Sequence, residues 1–159
     1  YMDRFQKKME SDPMYGRVEI VSLNSNFADP NSVDAVLTFR NLHNWLGPQM
    51  DSIFKNSMVA LKPGGVFGIV EHRAKPGTSL EAMKKSGYVT EAHAIEVAKK
   101  HGFILIKKSE INANPKDTKD HPKGVWTLPP SLRLDNVDRE KYESIGESDR
   151  MTLLFLKPL

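Results

Sequence analysis

Short apolar runs alternate with stretches of helical periodicity along the chain. Met2, Phe5, Gln6 and Met9 recur at helical spacing from the first residues onward, and Asp12-Pro13 ends the pattern, since the residue before a proline disfavours helical backbone. Residues 17–23, RVEIVSL, alternate and then run apolar before an Asn/Ser/Asp/Pro cluster from Asn24 to Ser32, which predicts a strand and a loop. Val33 to Phe39 is too short for a helix and rich in β-formers, as expected of a strand buried on both faces. Gly47-Pro48 then opens a helix whose apolar stripe is Met50, Ile53, Phe54, Met58 and Leu61.

Pro63-Gly64-Gly65 ends that helix and leads into Val66, Phe67, Ile69 and Val70, a second apolar strand. Thr78 and Glu81 have capping-box spacing, Thr90 offers another helix start, and Gly102 stops a helix that turns Ala94, Ile95 and Ala98 inward. FILI, at residues 103–106, reads as a strand, and RMTLLFLKP closes the chain as another. Little helical signal separates these two, which predicts antiparallel pairing at one edge. Asn112 to Pro130 holds four prolines with little periodicity, and Tyr142 to Ser148 adds a turn or short helix. Residues 112–148 are thus expected to be a long loop insertion or lid. The whole is one α/β domain over residues 1–159, with polar groups at the carboxyl ends of its strands, where open sheets bind ligands.

Composition narrows the classes of function. The chain has 159 residues, 39% hydrophobic and 27% charged, which is ordinary for a soluble globular domain. Its net charge of +3 comes from scattered lysine pairs rather than a basic stripe interleaved with aromatics, so neither nucleic acid nor a membrane is an expected partner. Cysteine is absent, which removes disulfides, thiolate nucleophiles and sulfur-based metal sites together. Five histidines occur without an H-E-x-x-H spacing, so no metal site is expected either. The compartment is left open.

Three segments carry a family resemblance: VDAVLTFRNLHNWL, then LKPGGVFGIVEHRAKPG, then a helix followed by HGF and two closing strands. Their order resembles the C-terminal half of the class I S-adenosylmethionine-dependent methyltransferases. LKPGG before the fifth strand is a fairly specific mark of that superfamily, and HNW resembles its LHHW-like segment after the fourth. SGYVTE, EINANPKDTKDHPKGVWTLPP and IGESDRMTL extend the likeness over nearly the whole chain, to a bacterial group of predicted methyltransferases of unassigned substrate.

The resemblance implies a Rossmann-like sheet of order 3-2-1-4-5-7-6, from which this chain carries strands 3 to 7 and lacks strands 1 and 2. It also implies a glycine-rich loop, yet the ten glycines include no G-x-G. S-adenosylmethionine would then be bound weakly or not at all by this chain alone, which reads as N-terminally incomplete. The strand at Val33 to Phe39 would keep a bare edge, across which a homodimer could form. The link from Leu23 to Asp34, of about ten residues, is tight for direct pairing of the flanking strands.

Within the same resemblance, Phe39, Arg40 and Asn41 line the cofactor cleft, and an unknown small molecule is the methyl acceptor. His43 is the first choice for the base that methyl transfer to a protonated nucleophile needs, and His72 is the second. Either histidine could equally serve as a structural hydrogen-bond donor. Asn44, Arg73, Tyr88, Asp120, His121 and Trp126 are candidates for substrate contact or a lid, and Glu71 and Arg73 are expected to pair with neighbours at the surface. The competing reading is a non-catalytic scaffold or oligomerisation module.

Overall fold

A computed structural model describes residues 2–23 and 25–159; Tyr1 and Asn24, expected in a helix and a loop, lie outside the described residues. Strands β1 (Val33–Phe39), β2 (Leu61–His72), β3 (Ile104–Ser109) and β4 (Arg150–Leu156) form one sheet in the order β1-β2-β4-β3. β1 and β2 are parallel, and β4 lies antiparallel between β2 and β3. Order and sense match the 4-5-7-6 portion of the sheet implied by the resemblance.

Helices α1 (Met2–Ser11), α2 (Leu42–Trp45), α3 (Pro48–Ala60), α4 (Leu80–Ser86), α5 (Glu91–Lys100) and α6 (Arg139–Ile145), with 3₁₀ turns at Pro13–Tyr15 and Gly124–Thr127, complete the described elements. The period-two pattern of the strands decides which side is covered. Phe67, Ile69, Leu153 and Phe155 turn inward against Met50 and Phe54 of α3 and Ala94 and Ala98 of α5. Phe54 meets Phe67 edge to face with centroids 5.0 Å apart, a favoured aromatic geometry. The intervening positions Leu37, Phe39 and Ile104 stay exposed on the other side of the sheet. None of the helices among the described residues is long and apolar enough to cross a membrane.

One predicted element does not form. Residues 17–23 belong to no strand, and every one of them is exposed. The alternation in RVEIVSL supplies a strand pattern, but a strand also needs a ladder partner for its N–H and C=O groups. The short link to β1 works against a parallel crossover. Among the described residues the sheet therefore has four strands, corresponding to 4 to 7 of the family order, and not the five expected.

Two boundaries also move. LKPGG does not merely end α3: β2 already starts at Leu61, and Lys62 to Gly65 bulge out between the pairs Val33–Leu61 and Ala35–Val66. Gly65 is required there, because a Cβ would lie 2.9 Å from the Lys62 carbonyl oxygen. The cap of α4 is Ser79, whose hydroxyl accepts the Ala82 N–H, in place of Thr78. Thr90 caps α5 as expected, accepting the His93 N–H.

Residues 112–148 hold a 3₁₀ turn at Gly124–Thr127 and then α6. Asp117, Val125, Thr127, Leu128 and Tyr142 within this segment are buried.

Candidate active site

Topology alone brings the candidate residues to one end of the sheet. β1 and β2 are parallel and register Phe39 against Val70, so their carboxyl ends coincide. β4 runs the other way and pairs Arg150 with His72, so it begins at that same end. Arg40 leaves β1 with a φ of 55° while its N–H still donates to the Val70 carbonyl at 2.7 Å. The chain turns there into α2, anchored by the fully buried Leu42, and His43 follows one residue later.

A cleft of about 260 Å³ opens at this point. Phe39, Arg40, His43 and His72 line it from the ends of β1 and β2, and Glu147, Ser148 and Arg150 from the start of β4. Val125, Trp126 and the Pro129–Ser131 stretch, which contains a cis Pro129-Pro130 bond, close the far side. His43 meets the Trp126 ring edge-on at 5.9 Å and lies 5.3 Å from the His72 ring.

Behind the two histidines sits Glu71, fully buried. Its Oε1 accepts from His43 Nδ1 at 3.0 Å and from the His72 backbone N–H at 2.7 Å. Its Oε2 accepts the His43 backbone N–H at 3.1 Å. Such a carboxylate is tolerable away from water because it is met by donors on both oxygens. With Nδ1 committed to Glu71, Nε2 is the nitrogen of His43 left for another partner. His72 Nδ1 pairs with the Ser148 hydroxyl. Burial lowers the His72 pKa to about 4, against a raising effect from Glu71, so its ring is uncharged at neutral pH.

A second buried group holds the 112–148 segment beside the cleft. Asp117 accepts from the Tyr88 hydroxyl at 3.0 and 3.1 Å, from His121 Nε2 at 2.8 Å and from the Asp149 N–H at 2.8 Å. Burial and then the Asp117 carboxylate push the Tyr88 phenol well above its usual range. Asp149 in turn binds Arg73 at 2.9 and 3.0 Å and Lys119 at 2.7 Å. Although burial opposes ionisation, these cations bring its carboxyl down to about 2. Gly124, with φ 57°, lies so close to α4 that a Cβ would stand 2.1 Å from the Ser86 carbonyl oxygen.

The structure thus brings five of the sequence candidates to one cleft: Phe39, Arg40, His43, His72 and Trp126. The others lie elsewhere. Asn41 and Asn44 bond to each other at the start of α2, and Arg73 ties Asp149 to Glu110. Tyr88 and His121 belong to the Asp117 cluster, while the exposed Asp120 bonds Thr118 and Lys75. Sequence reasoning missed Arg150, Ser148 and Glu147, which only the antiparallel return of β4 carries into the cleft. It also read Glu71 as a surface partner, whereas alternation in β2 puts residue 71 on the same inward face as Phe67 and Ile69.

His43, Glu71 and His72 each place one ligand-type atom within 4.8 Å of the others, although no local sequence motif announces the set. Both Glu71 oxygens already accept N–H groups.

The open α/β fold is methyltransferase-like, as its likeness to solved structures shows. An S-adenosylmethionine-dependent methyltransferase from Methanosarcina mazei superposes with a TM-score of 0.59 at 11% identity, over 97% of this chain and 76% of that one. A candidate sarcosine dimethylglycine methyltransferase from Galdieria sulphuraria gives 0.63 at 13% identity, over 98% and 65%. The 4+2 cyclase SpnF gives 0.57 at 15% identity, over 89% of this chain and 56% of its own. The chain therefore spans between about half and three quarters of the length of the structures it resembles. No family model and no curated protein matches the sequence.

Proposed function

We propose that the protein takes part in S-adenosylmethionine-dependent methyl transfer to a small molecule, with His43 as the general base. A fold shared with a cyclase does not by itself select this chemistry, so the reading rests on the site. The observation that carries it is the contact of His43 Nδ1 with buried Glu71, at the joined carboxyl ends of two parallel strands.

The residues present fit one wall of a cofactor site. Phe39 and the backbone of Arg40, at the end of β1, would flank the methionine portion, while the sequence holds no G-x-G to receive the nucleoside. When bound, S-adenosylmethionine supplies an electrophilic methyl group on a sulfonium. The residues of this chain do the rest. His43 Nε2 takes the proton of the attacking O–H or N–H, and Glu71 holds the ring in one tautomer and stabilises its cationic form. His72, uncharged, offers a hydrogen bond to the acceptor. Val125 and Trp126 supply an apolar side of the cleft against which the acceptor would pack.

Among the described residues β1 is an edge strand, and its edge, together with exposed Leu37 and Phe39 on the sheet face, supports pairing with a second copy of the chain. Methyl-labelled S-adenosylmethionine incubated with the protein and a panel of small phenols, amines and acids tests the catalytic reading. Label transfer that falls about a hundredfold in H43A is expected; transfer undiminished in H43A would remove the base from the scheme.

A further inference from the structure

We infer that Arg40 and Arg150 form a carboxylate-binding subsite for the methyl acceptor, an assignment that rests on the methyl-transfer reading of the same cleft. Both arginines line its wall, Arg150 on β4, paired with His72 of β2, and Arg40 on the β1 side of β2. The Arg40 guanidinium has no hydrogen-bond or ion-pair partner among the described residues, even though its backbone is held by Val70. Arg150 gives one nitrogen, Nη1, to Glu147 at 2.5 Å. Its Nε is buried with no partner at all.

An enclosed N–H without an acceptor is costly, and most such groups in folded proteins are satisfied. An incoming carboxylate would meet the free charge of Arg40 and the part of the Arg150 guanidinium that Glu147 leaves open, drawing the unpartnered Nε into use as the side chain adjusts. The planar fork of a guanidinium suits a planar carboxylate. Glu147 offsets the charge of Arg150 only, so Arg40 keeps an uncompensated charge at the rim. Val125, Trp126, Pro129 and Pro130 supply the apolar part of the lining, against which a hydrocarbon body would rest. The volume, about 260 Å³, accommodates a small acid. The acceptor class is therefore a small carboxylic acid, aromatic or aliphatic, whose hydroxyl or amine reaches His43.

Benzoate and its uncharged isostere benzamide test the subsite directly, by calorimetry and by the shift of the Trp126 indole N–H resonance. Benzoate is expected to bind the wild-type protein at least about tenfold more tightly than benzamide. R40Q and R150Q should each weaken benzoate about tenfold and leave benzamide unchanged, while R40K keeps most of the affinity. Arg40 is exposed and makes no side-chain bond, so R40Q remains informative if R150Q fails to fold. Equal affinity for the two probes, or unaltered benzoate binding in R40Q, overturns the inference. Competition between benzoate and S-adenosylhomocysteine also overturns it, because the carboxylate held would then be that of the cofactor. Benzoate binding that persists where S-adenosylmethionine gives no heat upholds the subsite and discards the methyl-transfer reading instead.

Discussion

Glu71 Oε1 lies 3.0 Å from His43 Nδ1, although the two residues are 28 positions apart and belong to different elements. The carboxylate is also bonded to the backbone N–H of each histidine. One buried group therefore fixes both the position of the α2 start and the orientation of its ring.

Glu71→Gln keeps the volume of the side chain and turns an NH₂ toward N–H donors. The expected loss is about 2–3 kcal/mol in urea unfolding. Nitrogen-detected spectra should at the same time show His43 losing its fixed Nδ1–H tautomer. Full stability with an unchanged tautomer would show that Glu71 does not orient the ring.

His72 makes stability depend on pH. Its folded-state pKa, about 4, is below the usual histidine value of 6.5, so between these values the unfolded chain binds the extra proton. Stability is complete above about pH 6.5 and falls as the pH drops toward 4, by up to about 3 kcal/mol. Urea midpoints measured across that window should slope for the wild type and flatten in H72Q. Parallel slopes would assign the acid sensitivity to other groups.

The Asp117 cluster should govern the integrity of the 112–148 segment. Tyr88→Phe removes a hydroxyl that donates to a carboxylate, at a cost of about 1–2 kcal/mol. Asp117→Ala strands the Tyr88 hydroxyl, the His121 ring and the Asp149 N–H together, and should cost about 3 kcal/mol or more. Thermal unfolding ranks the two variants, and limited proteolysis should cut D117A within 112–148 before the sheet. Cleavage elsewhere first, or a reversed ranking, would contradict this role.

Leu37 is 60% exposed on β1, the edge strand of the described sheet. Leu37→Lys places a charge there, a substitution that discourages strand pairing between copies. Sedimentation velocity should show concentration-dependent association in the wild type and a monomer in L37K. A wild-type monomer at every concentration would count against the homodimer.

Much of the fold was legible in local pattern. Val33 to Phe39 as a strand, the α3 stripe, the Thr90 cap and the closing antiparallel strands each follow from periodicity or end chemistry that acts over a few residues. The burial expected on both faces of Val33 to Phe39 does not hold, since no element covers Leu37 and Phe39 among the described residues. Residues 17–23 have the same kind of signal and form no strand, because pairing depends on a neighbour that pattern does not supply. The site divides in the same way. His43, His72 and Arg40 stand at strand ends and were visible there, whereas Arg150 and Ser148 enter through the return of β4 between two earlier strands. Glu71 was within reach: alternation from Phe67 and Ile69 already places it inside. A charged residue on an inward face, next to a strand end, is the signal that deserved more weight.

Calorimetric titration of the 159-residue chain with S-adenosylmethionine tests the central claim most directly. One cofactor wall, with no glycine loop, should give saturable binding with a dissociation constant on the order of 1 mM. Absence of any heat at millimolar ligand, from a protein shown to be folded in the same buffer, would contradict methyl transfer by this chain.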